Sequence, residues 1–218
     1  MQIAIFAYDH MTALDAVGPY ETLSRLPGAE TIMVGEQRGQ VRCDTQSLAL
    51  VADATLNDVT TPDVVVVPGW SGSKQENLLR PGPVQYWLRA VDRNTAWTTS
   101  VGTGAIILAA AGLLTGRRAT THWLAVDWLA DLGAVPARTP VVRDGKYITA
   151  AGVSAGIDMG LMLAAAIADE RTAKAIQLLL EYDPRPPFDC GSVDTAPATI
   201  VTPMRALREF ILSGAPET

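Results

Sequence analysis

Three loops carry the side chains with which this sequence could do chemistry, and each loop follows an apolar run. Asp15 follows QIAIFAY (2–8), Trp70 follows VVVV, and Gly102 follows AWTTSV (96–101). In open α/β sheets, ligands bind beyond the carboxyl ends of the strands. The loops after these three runs are therefore the candidate site.

The third loop predicts a sharp turn between a strand and a helix, because AWTTSV runs into GTGA and an apolar pattern follows to residue 114. Such an elbow displays its apex side chain above the sheet, next to the amides of a helix N-terminus. Those amides can stabilise an oxyanion or lower the pKa of a thiol. Gly102 is the apex residue here, so no nucleophile is displayed. Taken alone, the segment favours a structural turn that simply requires glycine.

Asp15 has two possible roles. It lies in TALDAVGP, at the predicted start of a helix, where an acidic side chain either caps free amides or faces the cleft. For an isolated residue, capping is the commoner role. In an apolar cleft, however, burial would raise the pKa of the carboxyl towards neutral pH and make it an acid/base group.

Length and composition predict one domain of 218 residues that binds neither nucleic acid nor membranes. The chain is 48% hydrophobic, which allows a substantial core, and its net charge of −6 does not suit a phosphate backbone. Cys43 and Cys190 lack the spacing of a disulfide framework or a metal site, so we expect structural free thiols in a reducing cytoplasm. The start of the chain does not resemble a signal peptide, and residues 103–114 are too short to span a bilayer. We expect a cytoplasmic protein without metal.

The order of patterns predicts an α/β fold with a mainly parallel sheet of six or seven strands. The apolar runs at 2–8, 63–69 and 96–101 are typical of strands buried on both faces. Helical patterns lie between them, with one apolar face formed by Leu14, Val17, Tyr20 and Leu23 and another by Val84, Trp87, Leu88 and Val91. Strands that alternate with helices indicate βαβ units.

The remaining segments complete this prediction. A further strand at 30–36 precedes a short antiparallel excursion at 40–44 and 47–53, and Asp144-Gly145 signals a hairpin within 139–152. Residues 182–199 are rich in Pro, Asp and Ser, and we expect an extended arm there. Helices are predicted at 121–132, 155–168, 170–181 and 199–212.

Longer segments resemble the ThiJ/PfpI superfamily and, within it, the isonitrile hydratase branch. They are TTSVGTGAIILAAAGLLTGRRATTHWLAVDWLADLGA, VVRDGKYITAAGVSAGIDMGLMLAA and LEYDPRPPFDCGSVDTAP, together with LDAVGPYE and VVVVPG. The resemblance covers almost the whole chain. It implies a flavodoxin-like three-layer sandwich that dimerises, and a reaction in which a thiolate attacks the isonitrile carbon, a carboxylate protonates it and water releases the N-substituted formamide.

The resemblance also implies the roles of individual residues. The family pattern at the elbow is Ser-Val-Cys-Thr-Gly, so Gly102 stands where the nucleophilic cysteine belongs. Asp15 matches the carboxylate, and Thr103 matches the residue after the cysteine. Gly69 and Trp70 occupy a loop whose amides form the oxyanion site in the family, and the large indole of Trp70 would reshape the pocket or stack on a planar substrate.

Two histidines could also reach the site. His122, in ATTHW, corresponds to a histidine near the cysteine in several superfamily members. A half-buried histidine bonded to backbone is an equally good interpretation. His10, in the first loop, is better interpreted as solvated.

A thiol-dependent route cannot run without a nucleophile at residue 102, because the hydroxyl of Thr103 has no adjacent base to activate it. Three interpretations remain open. The first is an isonitrile hydratase-like protein without its nucleophile, by divergence or by engineering. The second is a cofactor-free enzyme that uses Asp15 as acid/base to hydrate, isomerise or cyclise a small apolar molecule. The third is a ligand-binding module without catalysis.

Overall fold

A seven-stranded sheet is the centre of the computed structural model, which describes residues 1–72 and 75–213. Its strand order is β10-β11-β7-β6-β1-β2-β5, and every neighbouring pair is parallel except β10 and β11. Two further pairs, β3-β4 and β8-β9, lie outside it. The strands are β1 Gln2–Phe6, β2 Glu30–Gly35, β3 Gly39–Arg42, β4 Ala49–Ala52, β5 Ala54–Thr55, β6 Val64–Val67, β7 Trp97–Val101, β8 Arg118–Ala119, β9 Val135–Pro136, β10 Val141–Asp144 and β11 Tyr147–Ala150.

Helices flank this sheet in two groups, and their packing brings distant parts of the chain together. In one group α1 packs on α6 and α6 packs on α7, and in the other α4 contacts α2, α3 and α5. A 3-10 turn, Trp123–Ala125, precedes α5. The helices are α1 Ala13–Leu23, α2 Glu76–Leu79, α3 Pro83–Asp92, α4 Gly104–Ala110, α5 Val126–Asp131, α6 Ala155–Ile167, α7 Glu170–Leu179, α8 Ala198–Ala206 and α9 Arg208–Ser213.

The predicted fold class is confirmed. The β-branched run of β6 is buried along its whole length between β1 and β7, as continuous apolar strands require in a parallel sheet. The antiparallel excursion is the β3-β4 pair, and the Asp144-Gly145 hairpin joins β10 to β11. In the arm predicted at 182–199, residues 182–197 form no helix or strand, and α8 begins at Ala198.

Three helix predictions were wrong in detail. The helix predicted at 121–132 is a 3-10 turn at Trp123–Ala125 followed by a short α-helix at Val126–Asp131. The last helix is two helices, because Leu207, at φ −89° and ψ 7°, leaves the α-helical conformation and α9 starts afresh. In α1, Leu14 and Tyr20 are 41% and 39% exposed although their stripe was predicted to face the core. The buried face of α1 carries mainly small or polar side chains, of which Gly18, Pro19 and Thr22 lie close to α6.

Within the described ranges, no helix is both long and apolar enough to cross a bilayer.

Candidate active site

The carboxyl ends of β1, β6 and β7 meet at one edge of the sheet, and the three candidate loops meet there too. The backbone N–H of Gly69, after β6, donates to Oδ2 of Asp15 at 2.9 Å. The hydroxyl of Thr103, after β7, accepts from the N–H of Trp70 at 2.7 Å and donates to its carbonyl at 3.0 Å. The structure therefore brings Asp15, Gly69, Trp70, Gly102 and Thr103 together.

Asp15 lies in the first turn of α1 and is 1% exposed. Its Oδ2 binds the loop after β6, and its Oδ1 has no hydrogen-bond partner within the described residues. The side chain is therefore not a cap for its own helix. A buried carboxyl oxygen without a partner is costly and uncommon in native proteins, and such groups are often functional.

Burial makes the Asp15 carboxyl an acid of near-neutral strength. Desolvation raises its pKa from 3.8 to about 7, the hydrogen bond from Gly69 opposes this rise, and the charge of Asp44 adds to it. Near neutral pH the group is thus present in both the protonated and the ionised form, which is the condition under which one residue can both give and take a proton.

Gly102 is the apex of the elbow and has a φ of +57°, a conformation that side chains with a Cβ rarely adopt. Its N–H donates to the carbonyl of Ala150 at 3.0 Å, and its carbonyl accepts from the hydroxyl of Thr121 at 2.9 Å. A Cβ placed on Gly102 would lie 2.7 Å from Oδ2 of Asp15. The carboxyl therefore occupies the space in which a side chain at residue 102 would begin.

The loop after β6 offers no free amide at Gly69 or Trp70. The Gly69 N–H is bound to Asp15, and the Trp70 N–H is bound to Thr103. A Cβ on Gly69 would lie 2.5 Å from the backbone nitrogen of Thr103, so only glycine allows the loop to approach the elbow this closely. In this conformation the two amides bind Asp15 and Thr103 and do not form an oxyanion site.

The indole of Trp70 is 3% exposed and contacts the end of the chain. Its Nε1 donates to the carbonyl of Leu212 in α9 at 3.0 Å, and the N–H of Gly72 donates to the carbonyl of Ile211 at 2.7 Å. The helix α9 thus covers the loop after β6. We did not predict this contact, because the residues concerned are some 140 positions apart in the sequence and nothing in α9 signals it.

His122 caps the 3-10 turn, where its Nδ1 accepts from the N–H of Leu124 at 3.4 Å. Burial lowers its pKa. His122 therefore agrees with the alternative of a half-buried histidine bonded to backbone. Its neighbour Thr121 contacts the elbow, because the Thr121 hydroxyl donates to the carbonyl of Gly102. His10 is half-buried, and its Nδ1 lies 3.0 Å from Nε2 of Gln46.

Asp44, at the tip of the β3-β4 hairpin, is a residue near the site that the sequence analysis missed. Its Oδ2 accepts from the hydroxyl of Thr12 at 2.7 Å and from the hydroxyl of Ser71 at 2.9 Å. A sequence signal was absent, because an aspartate after a short strand is an ordinary turn residue. The neighbouring Cys43 is buried and Cys190 is exposed, and both thiols are free.

A mainly parallel sheet with flanking helices, a strand-to-helix elbow and a buried carboxyl facing that elbow define a flavodoxin-like α/β protein with a site at the sheet edge. The sequence model of the DJ-1/PfpI family matches residues 1–166, and the chain belongs to this family.

Individual relatives agree with this assignment. The chain is 40% identical to an isonitrile hydratase from Pseudomonas putida over 205 residues, which cover 94% of this chain and 89% of the relative. A crystal structure of a ThiJ/PfpI family protein from Pseudomonas syringae matches with a TM-score of 0.90 and 39% identity, over 94% of this chain and 85% of that one. A transcriptional regulator of the HTH type from Pseudomonas aeruginosa, CdhR, is 36% identical over 123 residues, which cover 56% of this chain and 36% of the regulator.

Proposed function

We propose that this protein is a cofactor-free, hydratase-like enzyme in which Asp15 moves the proton and no thiol takes part. One observation carries the proposal: the Asp15 carboxyl is buried against Gly102 and one of its oxygens is unbound among the described residues. This burial raises the pKa of the carboxyl to about 7. The identity to an isonitrile hydratase supports hydration as the class of reaction. The isonitrile hydratase relative also favours a small organic substrate.

The reaction is the addition of water to a carbon that can be protonated. With an isonitrile, Asp15 would donate its proton to the terminal carbon, and a nitrilium cation would form. A water molecule then attacks the same carbon while the Asp15 carboxylate accepts one of its protons. The adduct tautomerises to the N-substituted formamide, so that one water is consumed and Asp15 ends protonated, as it began. General acid–base catalysis of this kind contributes about 10²- to 10⁴-fold to a rate.

A ligand-binding module is the second candidate. It is favoured by the match to the transcriptional regulator and by the engagement of both amides in the loop after β6. A turnover assay distinguishes the two candidates, because a binding module would bind an isonitrile or its analogue and release it unchanged.

Substitution of Gly102 tests the proposed route. In Gly102→Ala the new Cβ must displace the Asp15 carboxyl, and we expect turnover of an isonitrile panel to fall on the order of 10²-fold, as for other misplaced catalytic groups. Gly28→Ala is the matched control, because Gly28 shares the positive φ, at +71°, and a Cβ there meets no atom within 4 Å. Turnover should be followed by formamide release on cyclohexyl and aryl isonitriles. Full activity in Gly102→Ala would contradict the proposal.

Gly102→Cys distinguishes a site that works through Asp15 from a thiol site that lacks its nucleophile. It carries the same Cβ as Gly102→Ala, so Asp15-dependent turnover should fall by a similar factor. Activity above that of the unmodified protein, and abolished by iodoacetamide, would instead show a thiol site that merely lacks its nucleophile.

We also propose that the protein is a homodimer. Leu14 and Tyr20 on α1 are exposed, and Leu14 lines an apolar groove with Ile157 and Leu180. Phe188, in the arm, is 76% exposed. A second copy of the chain would cover these side chains through a self-complementary interface.

Sedimentation tests this assembly. The protein at micromolar concentration should sediment with twice the mass of the chain, and Phe188→Asp should shift it towards the monomer. Leu48→Asp is the control, because Leu48 is also exposed but lies on the β3-β4 hairpin. A monomer at micromolar concentration would refute the dimer.

A further inference from the structure

Backbone hydrogen bonds connect the tip of the β3-β4 hairpin to the loop between β1 and α1. The N–H of His10 donates to the carbonyl of Arg42 at 2.6 Å, and the N–H of Asp44 donates to the carbonyl of Met11 at 3.0 Å. His10 and Gln46 contact each other through their side chains, and both have a positive φ, of 68° and 63°. Two non-glycine residues in this conformation at one contact cost free energy, and such strain clusters at functional sites.

A ring of hydrogen bonds joins this tip to Asp15. The Asp15 carboxyl binds the N–H of Gly69, and two residues further on the hydroxyl of Ser71 donates to Asp44. The same oxygen of Asp44 accepts from the hydroxyl of Thr12, whose carbonyl accepts from the N–H of Asp15 at 3.1 Å. The position of Asp44 is thus coupled on both sides to the position of Asp15.

The charge of Asp44 also acts at the site. It raises the pKa of Asp15, after the larger effect of burial, and it contributes in the same direction at Tyr8 and Cys43. The pKa of Tyr8 is raised well above its ordinary value, chiefly by burial, so its hydroxyl stays neutral and donates to the carbonyl of Pro68. Near Asp15, the elbow and the loop after β6 contribute backbone amides, the hydroxyl of Thr103 and the indole of Trp70. Among the described residues, these two segments place no charged side chain there.

We infer that Asp44 is a positioning residue for Asp15: it holds the loop after β6 and the first turn of α1 around the carboxyl, and its negative charge favours the protonated form of Asp15. The inference rests on the proposed function, since it assigns Asp44 a part in preparing the proton donor. Asp44 does not itself touch the reacting atoms, and it acts through Thr12 and Ser71.

A titration that needs no substrate tests the charge. The Asp15 carboxyl is followed by carbon-13 NMR, with Asp15→Asn to identify its signal, in the unmodified protein and in Asp44→Asn. We expect Asp44→Asn to lower the midpoint by roughly half a pH unit or more, the order expected for removal of a nearby like charge. Asp44→Ser is a second neutral variant, in case Asp44→Asn does not fold, because serine can keep the local bond to the N–H of Thr45.

Matched variants separate the effect of the Asp44 charge from the effect of its hydrogen bonds. Ser71→Ala keeps the charge of Asp44, so the midpoint of Asp15 should stay where it is while turnover falls severalfold. Asp169→Asn removes a charge at the N-cap of α7, where asparagine caps as well as aspartate, and should change neither quantity. In Asp44→Asn, the high-pH limb of the rate profile should move to lower pH together with the midpoint of Asp15.

The inference is overturned if the midpoint of Asp15 is the same in Asp44→Asn or Asp44→Ser as in the unmodified protein. Failure of the proposed function has a different signature, because the unmodified protein would then turn over no substrate even though the midpoint of Asp15 still falls in Asp44→Asn.

Discussion

Asp15→Asn is expected to lower turnover about 10²- to 10⁴-fold and to leave the fold intact. Asparagine has the shape of the protonated carboxyl, and its Oδ1 can still accept the hydrogen bond from Gly69. It has no proton that it can give and recover, so the step that depends on the carboxyl is lost. The measurement is formamide release on the isonitrile panel, with circular dichroism to verify the fold.

Thiol variants are the controls for this result. Cys43→Ala and Cys190→Ala should leave turnover unchanged, because neither cysteine lies at the elbow in the sequence or takes part in the proposed proton transfer. Full turnover in Asp15→Asn would refute the assignment of Asp15 as the acid/base group. Loss of turnover in a cysteine variant would show that a thiol takes part in the reaction.

The same substitution should stabilise the protein at neutral and alkaline pH. The folded protein raises the pKa of Asp15 from 3.8 to about 7, so it binds the proton more tightly than the unfolded chain does. The protein consequently loses stability as the pH rises from about 4 to about 7, and the loss levels off above that range. A difference of about three pKa units corresponds to a decrease in the free energy of unfolding on the order of 4 kcal/mol. Asparagine does not ionise and avoids this cost.

Urea unfolding at several pH values checks the expectation. The free energy of unfolding of Asp15→Asn, relative to the unmodified protein, should increase between pH 4 and pH 7 and then stay constant. Asp58 provides a control of opposite sign, because hydrogen bonds from Thr55 and Arg38 lower its pKa to about 2. Stability from Asp58 is present above the unfolded pKa and is lost as the pH falls towards 2, so Asp58→Asn should be the less stable variant at neutral pH. A pH-independent difference for Asp15→Asn would contradict the expectation.

The sheet and the elbow could be predicted because their sequence signals are local. A run such as VVVV has a β-branched side chain at every position and fits a strand buried on both faces. Asp144-Gly145 fits a tight hairpin, and Gly102 fits a turn that requires a positive φ. In each case the residue type restricts the backbone directly.

The contacts that shape the site could not be predicted in the same way, because they depend on which elements pack together. The stripe of Leu14 and Tyr20 on α1 has the spacing of a core face, yet α1 packs on α6 through other residues. Trp70 was expected to reshape the pocket or stack on a planar substrate, and the hydrogen bond from its indole N–H to Leu212 in α9 had no signal in the sequence. Asp44 enters the site through hydroxyls from two other loops. No local pattern encodes such partners.

Titration of the Asp15 carboxyl by carbon-13 NMR in the folded, unmodified protein would show whether this residue can donate a proton at neutral pH, with the signal assigned by its absence in Asp15→Asn. We expect a midpoint of about 7, because the carboxyl is buried against Gly102 and has a single hydrogen bond, from Gly69, among the described residues. A midpoint near 4, the ordinary value for an aspartate, would mean that the carboxyl is ionised at neutral pH and cannot be the proton donor.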